Sequence, residues 1–449
     1  MRIHFIGIGG AGMSALATIC LAMGEEVSGS DISENEAISR LRSQGARIFI
    51  GHSPQNVYGS ELIVYSSAIS PSNVELIEAR KQGIPAIKRG ELLAQLINGK
   101  KGIVVVGTHG KTTTSSLISL MLEKNHLEPT IVIGGEVDDI GGNAKLGKGE
   151  FFVAEADESD GSFLFLSPWI GVITNIDSDH LDYYGSMDNL LSAFSHFASK
   201  IKEDGYVVAC YDDPNIKKID FPRQTIYYGL SPEADIWAKE IIVSEKGTSF
   251  RVYKGKEEIF ELNLQLLGRQ NVYNSLAATA VGLILGIQTQ GIKNSLESFK
   301  GVHRRLEKVG NINDILIYDD YGHHPTEISF TLKTLREAFP NRRIVCVFQP
   351  HRYTRTKLLY KELAASLKEA DVLILTSIYP AGEKPIENVS SRLILSSLEE
   401  MGKSAIYVEN KNDIPDYLLQ VASPGDIVLT LGAGNINHVA FEFLKRAKV

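Results

Sequence analysis

The stretch Gly107-Thr108-His109-Gly110-Lys111-Thr112-Thr113 decides how this chain is read. It follows the apolar run Ile103-Val104-Val105-Val106 and precedes a helix-like segment, Thr114 to Lys124. A buried strand, a tight glycine turn and a helix start make a phosphate cradle, because free backbone N–H groups and the helix dipole face an anion there. Lys111 adds a point charge for outer phosphates, and Thr112 offers a hydroxyl to Mg²⁺. The common P-loop spacing places a glycine five residues before Gly110, where this chain has Val105, so the loop is a shortened one. Residues 107–113 are therefore the expected ATP-binding loop, in an α/β protein.

Upstream, Ile3 to Ile8 reads as an apolar strand, followed by Gly7-Ile8-Gly9-Gly10-Ala11-Gly12 and a helix-like run, Met13 to Met23. A second strand, Glu26 to Ser30, ends in Asp31. That is the order of a dinucleotide-binding fingerprint. It points to a pyrophosphate over Gly9, Gly10, Ala11 and Gly12, with a sugar hydroxyl at Asp31; glycines serving only close packing are the plain alternative. Leu62 to Tyr65 is another strand, ending in the hydroxyls of Ser66 and Ser67. Asn98-Gly99-Lys100-Lys101-Gly102 reads as the linker to the phosphate-loop domain.

Downstream, Phe151 to Ala154 is a strand ending in Glu155-Ala156-Asp157-Glu158-Ser159-Asp160. Trp169 to Thr174 ends in Asn175-Ile176-Asp177-Ser178-Asp179-His180. Open α/β sheets gather their ligands at the carboxyl ends of strands, so these groups should face the Lys111 loop. Glu155 and His180 are the favoured ligands for Mg²⁺ or Mn²⁺, the other acids serving to solvate loops. Residues 234–267 change to short alternating strands with turns, an antiparallel flap. Asn271 and Asn274 open an apolar helix, where they either cap it or offer amides to a purine.

A third α/β unit begins near His303. Four strand-like runs end in polar clusters: Asp319-Asp320-Tyr321-Gly322-His323-His324, Gln349-Pro350-His351-Arg352-Tyr353-Thr354-Arg355, Ser377 to Glu383, and Gly432 to Asn435. Polar clusters at one end of successive parallel strands are how an open-sheet site is assembled. Arg352 and Arg355 project together if a helix starts there, and two guanidiniums suit a carboxylate; a solvated basic turn is the alternative. Adjacent His323 and His324, with no Cys partner, do not form a zinc motif.

The 449 residues allow roughly three domains, drawn as 1–98, 99–302 and 303–449. A formal charge of −8 argues against broad nucleic-acid binding, and no apolar run approaches membrane-span length. Three dispersed cysteines with no CxxC suit a reducing cytoplasm. The opening residues enter a strand at once, so no secretory leader is expected. A monomer or weak homodimer is the expected state.

Eight motifs, GIGGAGMS at 7–14, GTHGKTTT at 107–114, AEADESD at 154–160, TNIDSDHLD at 174–182, DDYGHHPTE at 319–327, FQPHRYTRT at 348–356, YPAGE at 379–383 and GAGNI at 432–436, occur in one order along the whole chain. In this the sequence resembles the Mur ligases of peptidoglycan synthesis, most closely their alanine-adding branch. The resemblance implies a Rossmann-like N-terminal domain, a central P-loop-type ATPase domain and a Rossmann-like C-terminal domain. It implies ATP, Mg²⁺ (or Mn²⁺), UDP-N-acetylmuramate and L-alanine as ligands, with UDP rather than NAD over the first glycine loop. At the matching positions Lys111 would hold the ATP phosphates, and Thr112 and Glu155 one magnesium, with His180 on a second. Asn271 and Asn274 would border adenine, and Arg305 and Asp320 would reach the nucleotide. Tyr321, His323, His351, Arg352 and Arg355 would form the amino-acid pocket, with His323 the base for the incoming amine. The branch that reattaches recycled tripeptide, and a nicotinamide-dependent oxidoreductase built on the first domain, are the alternatives. Gln270 stands where the family usually has His, Leu267 replaces a usual Pro, and Ala193 to Phe197 lack the lysine that other members carbamylate.

Overall fold

The computed structural model describes residues 1–448 apart from His180, and only the backbone of Leu181 and Asp182. It is an α/β protein on three sheets. The first has the spatial order Arg47–Ile50, Glu26–Asp31, Arg2–Ile6, Leu62–Tyr65, Ala86–Lys88, parallel throughout. This is the 3-2-1-4-5 order of a doubly wound nucleotide-binding sheet. Parallel strands need crossovers, and the helices Ala11–Ala22, Glu36–Ser43 and Val74–Lys81 supply them.

The second sheet has ten strands. Its order is Glu257–Leu264, Gly247–Lys254, Ile236–Ser244, Gln224–Gly229, Tyr206–Cys210, Ile170–Ile173, Lys101–Val106, Phe151–Glu155, Thr130–Val137, Gly142–Lys145. From Ile236–Ser244 through Thr130–Val137 the pairings are parallel, and Gly142–Lys145 closes one edge antiparallel. At the other edge the three strands between 236 and 264 are joined by two-residue turns, which only antiparallel neighbours allow. This is the flap expected from the alternating pattern. Ile103, Val104, Val105 and Val106 are all buried, as a central strand covered on both faces requires.

The third sheet runs Glu307–Ile312, Ile315–Asp320, Ile427–Leu431, Ile344–Phe348, Val372–Leu375, Ile406–Tyr407. All pairs are parallel except the edge strand Glu307–Ile312, which the sequence pattern did not reveal. Ile328, Leu332 and Leu335 of helix Pro325–Ala338 cover one face, and Val439, Ala440 and Phe443 of helix Asn437–Arg446 the other.

The chain packs into two compact units. One comprises Met1–Glu240, Phe250–Leu262 and Val272–Lys300; the other comprises Ile241–Ser249, Asn263–Asn271 and Gly301–Val449. Within the first unit, the first sheet is tied to the phosphate-loop region. Asn143 Nδ2 donates to the Ala11 carbonyl (3.1 Å), and Arg40 makes a two-pronged pair with Glu136. The expected linker shrinks to Gly99-Lys100, between helix Arg89–Asn98 and strand Lys101–Val106. Among the described residues, no helix is long and apolar enough to cross a membrane.

Candidate active site

The strand Lys101–Val106 ends at Gly107, whose φ of 128° only glycine adopts readily. A side chain there would also meet Thr174 Oγ1 at 2.2 Å. Gly110, at φ 80°, is the N-cap of helix Lys111–Lys124 and has no side-chain capping bond. The first-turn amides of that helix thus meet no capping side chain, as an anion site requires. The loop is stapled to the end of the strand Ile170–Ile173. Thr108 N donates to the Asn175 carbonyl (3.1 Å) and His109 N to Asn175 Oδ1 (2.9 Å). Asn175 Nδ2 and Thr174 Oγ1 both donate to the His109 carbonyl (2.9 and 2.7 Å), and His109 Nε2 donates to Asp177 Oδ2 (3.0 Å). The expectation that this strand end faces the Lys111 loop is realised in the geometry.

Lys111 Nζ lies inside the loop. It donates to the Gly107 carbonyl (2.6 Å), the Thr108 carbonyl (3.2 Å) and Glu158 Oε2 (3.0 Å). Burial alone would lower its pKa, but Glu158, Asp157 and Glu155 outweigh that and raise it, so the ammonium stays charged. Thr112 Oγ1 donates to Glu155 Oε1 (3.0 Å), and Glu155 Oε2 accepts from Gly134 N (2.8 Å). A hydroxyl and a carboxylate of this kind, side by side at the loop, suit a hard cation such as Mg²⁺. His180 lies outside the described residues. Thr113 is buried in the first turn of the helix.

Asn274 and Asn271 divide. Asn274, on helix Arg269–Ile284, accepts from Thr114 Oγ1 (3.1 Å), and its Oδ1 lies 2.6 Å from where a Gly110 side chain would begin. It therefore backs the phosphate loop. Asn271 Nδ2 donates to the Leu267 carbonyl (2.8 Å) and so closes the turn before its helix. Gln270, at the family's usual His position, accepts from Thr334 Oγ1 (3.2 Å).

In the first sheet, Gly7 turns the chain at φ 80° and Gly10 caps helix Ala11–Ala22, again with no side-chain capping bond and no acid in the first turn. Asp31 Oδ2 accepts from Gly9 N (2.9 Å) and Oδ1 from Ile32 N (2.7 Å), so its carboxylate braces the loop. Ser66 packs against Gly7, and Ser67 beside it is exposed. Gly12 lies under a side chain that the sequence reading passed over: Arg89 Nη1 is 2.9 Å from a side chain built there. A basic residue at the start of a helix gave no sequence signal; only the fold brings it over the glycine loop.

In the second unit the expected pocket residues form one row. Tyr321 meets His323 edge-on (5.7 Å between centroids), His323 meets His351 (5.6 Å), and His351 stacks on Tyr379 (5.7 Å). Arg304 and Arg305 lie over the Tyr321 ring, at 4.9 and 5.0 Å. Arg355 Nη1 donates to His351 Nδ1 (3.2 Å), which requires a neutral imidazole. Burial, then His323, Arg355, Arg352 and Arg304, depress the His351 pKa to about 3. His323 Nδ1 donates to the Tyr321 carbonyl (3.2 Å), which puts the lone pair of the neutral ring on Nε2. A helix does begin here, and the charges of Arg352 and Arg355 both act on His351. Arg352 is the N-cap of helix Tyr353–Ser366, at φ 71°, and Glu383 caps the same turn through Thr354 N and Oγ1 (3.0 and 2.6 Å). Asp320 is buried and accepts from Leu306 N, Gly322 N and Thr331 Oγ1 (2.7, 2.8 and 3.1 Å). Burial pushes it up to about 6, against Arg305 and those amides.

Comparison with known proteins agrees with this geometry. Residues 2–101 match the Mur ligase family catalytic domain, 105–282 the Mur ligase middle domain and 304–434 the Mur ligase glutamate ligase domain. The chain is 48% identical to the UDP-N-acetylmuramate–L-alanine ligase of Pelotomaculum thermopropionicum, over all of this chain and 98% of that one. It is 49% identical to the enzyme of that name from Dictyoglomus turgidum, over all of this chain and 97% of the relative. The crystal structure of UDP-N-acetylmuramate-alanine ligase from Thermotoga maritima superposes with a TM-score of 0.88 at 32% identity, covering 100% of this chain and 99% of that one. A murein peptide ligase from Psychrobacter arcticus shares the fold, with a TM-score of 0.75 at 22% identity, covering 100% of this chain and 98% of that one. The shortened phosphate loop, the Thr112–Glu155 pair and the two glycine-capped helices are thus those of a protein that belongs to the Mur ligase family.

Proposed function

We propose that this chain joins L-alanine to the lactate carboxylate of UDP-N-acetylmuramate, with ATP converted to ADP and phosphate, in the cytoplasmic stage of peptidoglycan precursor synthesis. The observation that carries the reading is Lys111 beside the Thr112–Glu155 pair, in the same compact unit as a second glycine-capped helix. One helix start suits the phosphates of ATP and the other the diphosphate of the sugar nucleotide. Family membership places the chain among ligases, apart from nicotinamide-dependent oxidoreductases.

Amide formation from a carboxylate is uphill in water, so the carboxylate attacks the γ-phosphate to give an acyl phosphate and ADP. The amine of alanine then attacks the carbonyl, and phosphate leaves. Lys111 offsets the repulsion between the two anions in the first step and supports charge on the transferred group. Thr112 and Glu155 would hold Mg²⁺, which when bound neutralises phosphate charge. Arg352 and Arg355 suit the carboxylate of alanine, and His323 Nε2 accepts the proton of its ammonium. Asn271, Arg305 and Asp320 complete the nucleotide contacts in this reading, and Asp31, Ser66 and Ser67 those of the sugar nucleotide.

The test is phosphate release from ATP and Mg²⁺ with UDP-N-acetylmuramate, adding single amino acids and the wall tripeptide in turn. Release that requires both the sugar nucleotide and L-alanine is expected. Release only with the tripeptide would assign the recycling reaction instead, and no release with any pair would overturn the ligase reading.

A further inference from the structure

A carboxylate with no role in the chemistry lies beneath the first glycine loop. Glu75, in the first turn of helix Val74–Lys81, is fully buried, as are His4 and Ser30. Its Oε2 accepts from Ser30 Oγ (2.6 Å) and His52 Nδ1 (3.1 Å), and lies 3.9 Å from His4 Nε2. Its Oε1 accepts from Asn56 Nδ2 (2.5 Å) and Ser53 N (3.3 Å). Burial raises the pKa of a carboxyl, yet the neighbouring His4 and hydrogen bonds from Ser30 and Asn56 more than offset this and hold Glu75 at about 2. A buried charge is costly unless its donors are complete, so an arrangement of this kind fixes the positions of those donors.

One donor connects directly to the loop. The Ser30 carbonyl accepts from both Gly7 N (2.8 Å) and Ile8 N (3.0 Å). The next residue, Asp31, accepts from Gly9 N. The preceding one, Gly29, leaves room for the Ile8 side chain, whose Cδ1 would lie 2.4 Å from a Cβ built there. Three consecutive residues of one strand therefore set the path of Gly7, Ile8 and Gly9, and the middle one is anchored by its hydroxyl to Glu75.

We propose that Glu75 is a positioning residue for the UDP-substrate loop, acting through Ser30. This rests on the reading that residues 7–12 hold the UDP part of the substrate. The experiment compares Ser30→Ala, Glu75→Gln and Asn56→Ala with the wild type, by KM for each substrate, melting temperature and calorimetric titration with UDP-N-acetylmuramate. Asn56 reaches the other carboxylate oxygen and does not contact Ser30, so it reports purely structural loss. Ser30→Ala and Glu75→Gln are expected to weaken UDP-N-acetylmuramate about tenfold, or ~1.4 kcal/mol, with KM for ATP and alanine within about twofold. Asn56→Ala is expected to lower the melting temperature and leave the ratio of KM values unchanged. Equal losses of melting temperature in all three, with no selective rise in that KM, would overturn the proposal while leaving the substrate site standing. If Glu75→Gln fails to fold, Ser30→Ala alone decides between these outcomes. A wild-type protein that does not bind UDP-N-acetylmuramate would overturn the site reading and the proposal together.

Discussion

Lys111 and Glu158 form an ion pair at 3.0 Å in which the lysine side chain is 13% exposed and the carboxylate 1%. In the proposed reading, the ammonium that meets the phosphates is held by a partner that the γ-phosphate of ATP would replace. Removing one partner of a buried pair leaves the other uncompensated, at ~3 kcal/mol or more. Glu158→Ala should lower the melting temperature of the ligand-free protein clearly, and ATP with Mg²⁺ should raise it by more than in the wild type. Differential scanning calorimetry with and without nucleotide checks both. An equal ligand-induced rise in the two proteins would show that the pair does not compete with phosphate.

Lys111→Ala should abolish turnover, because no other described ammonium lies within the loop and the transferred phosphoryl group would lose its charge partner. Single-turnover phosphate release is the measurement. Activity within about tenfold of the wild type would remove the residue from its assigned role.

Thr112→Val keeps the volume of the side chain and deletes the hydroxyl that donates to Glu155. The Mg²⁺ concentration needed for half-maximal activity should rise by about tenfold or more, with activity partly recovered at high Mg²⁺. An unchanged Mg²⁺ dependence would place the metal elsewhere.

Arg352→Ala should raise KM for alanine far more than KM for ATP, since its guanidinium acts on the His351 row of the proposed alanine pocket. A bidentate carboxylate contact is worth about 1.5–3 kcal/mol, so a rise of at least tenfold is expected. Equal effects on both substrates would indicate a disturbed helix start at residue 353.

His351 sets a pH dependence. Its folded pKa of about 3 lies below the value near 6.5 of an exposed histidine. Between these values the unfolded chain binds a proton that the folded chain refuses. The stability that His351 contributes is therefore complete above the unfolded value and declines as pH falls toward the folded one. The melting temperature should drop between pH 7 and pH 5, with a shallower slope in His351→Asn. Parallel slopes in the two proteins would assign the acid sensitivity to other groups.

Much of this was readable along the chain. The phosphate loop is seven contiguous residues, and its strand, turn and helix follow from a valine run, a glycine that must take positive φ and a helix start. The polar clusters after Asp320, Phe348, Leu375 and Leu431 fall at one end of a sheet, because those four strands are parallel and adjacent. Other features depend on pairs distant in sequence. Asn274 reaches Thr114 across 160 positions, and Glu158 captures Lys111 across 47. Spacing does not encode how Arg352 and Arg355 come to the same ring: Arg352 takes a positive φ just outside the helix and Arg355 lies within it, yet the charges of both act on His351.

By itself the sequence determined the strand, turn and helix of the Lys111 loop, the two glycine-capped helix starts, the candidate hydroxyl and carboxylate for a cation, and the family to which the order of its motifs belongs. These are short-range properties: hydrophobic period, glycine conformation and charge within a few residues. Only the tertiary structure decided that Arg89 overlies Gly12, that Asn274 backs the phosphate loop, that Glu158 holds Lys111, and that Glu75 anchors the strand beneath the first loop. Those contacts arise from strand order and helix packing, which bring together residues whose separation along the chain carries no pattern.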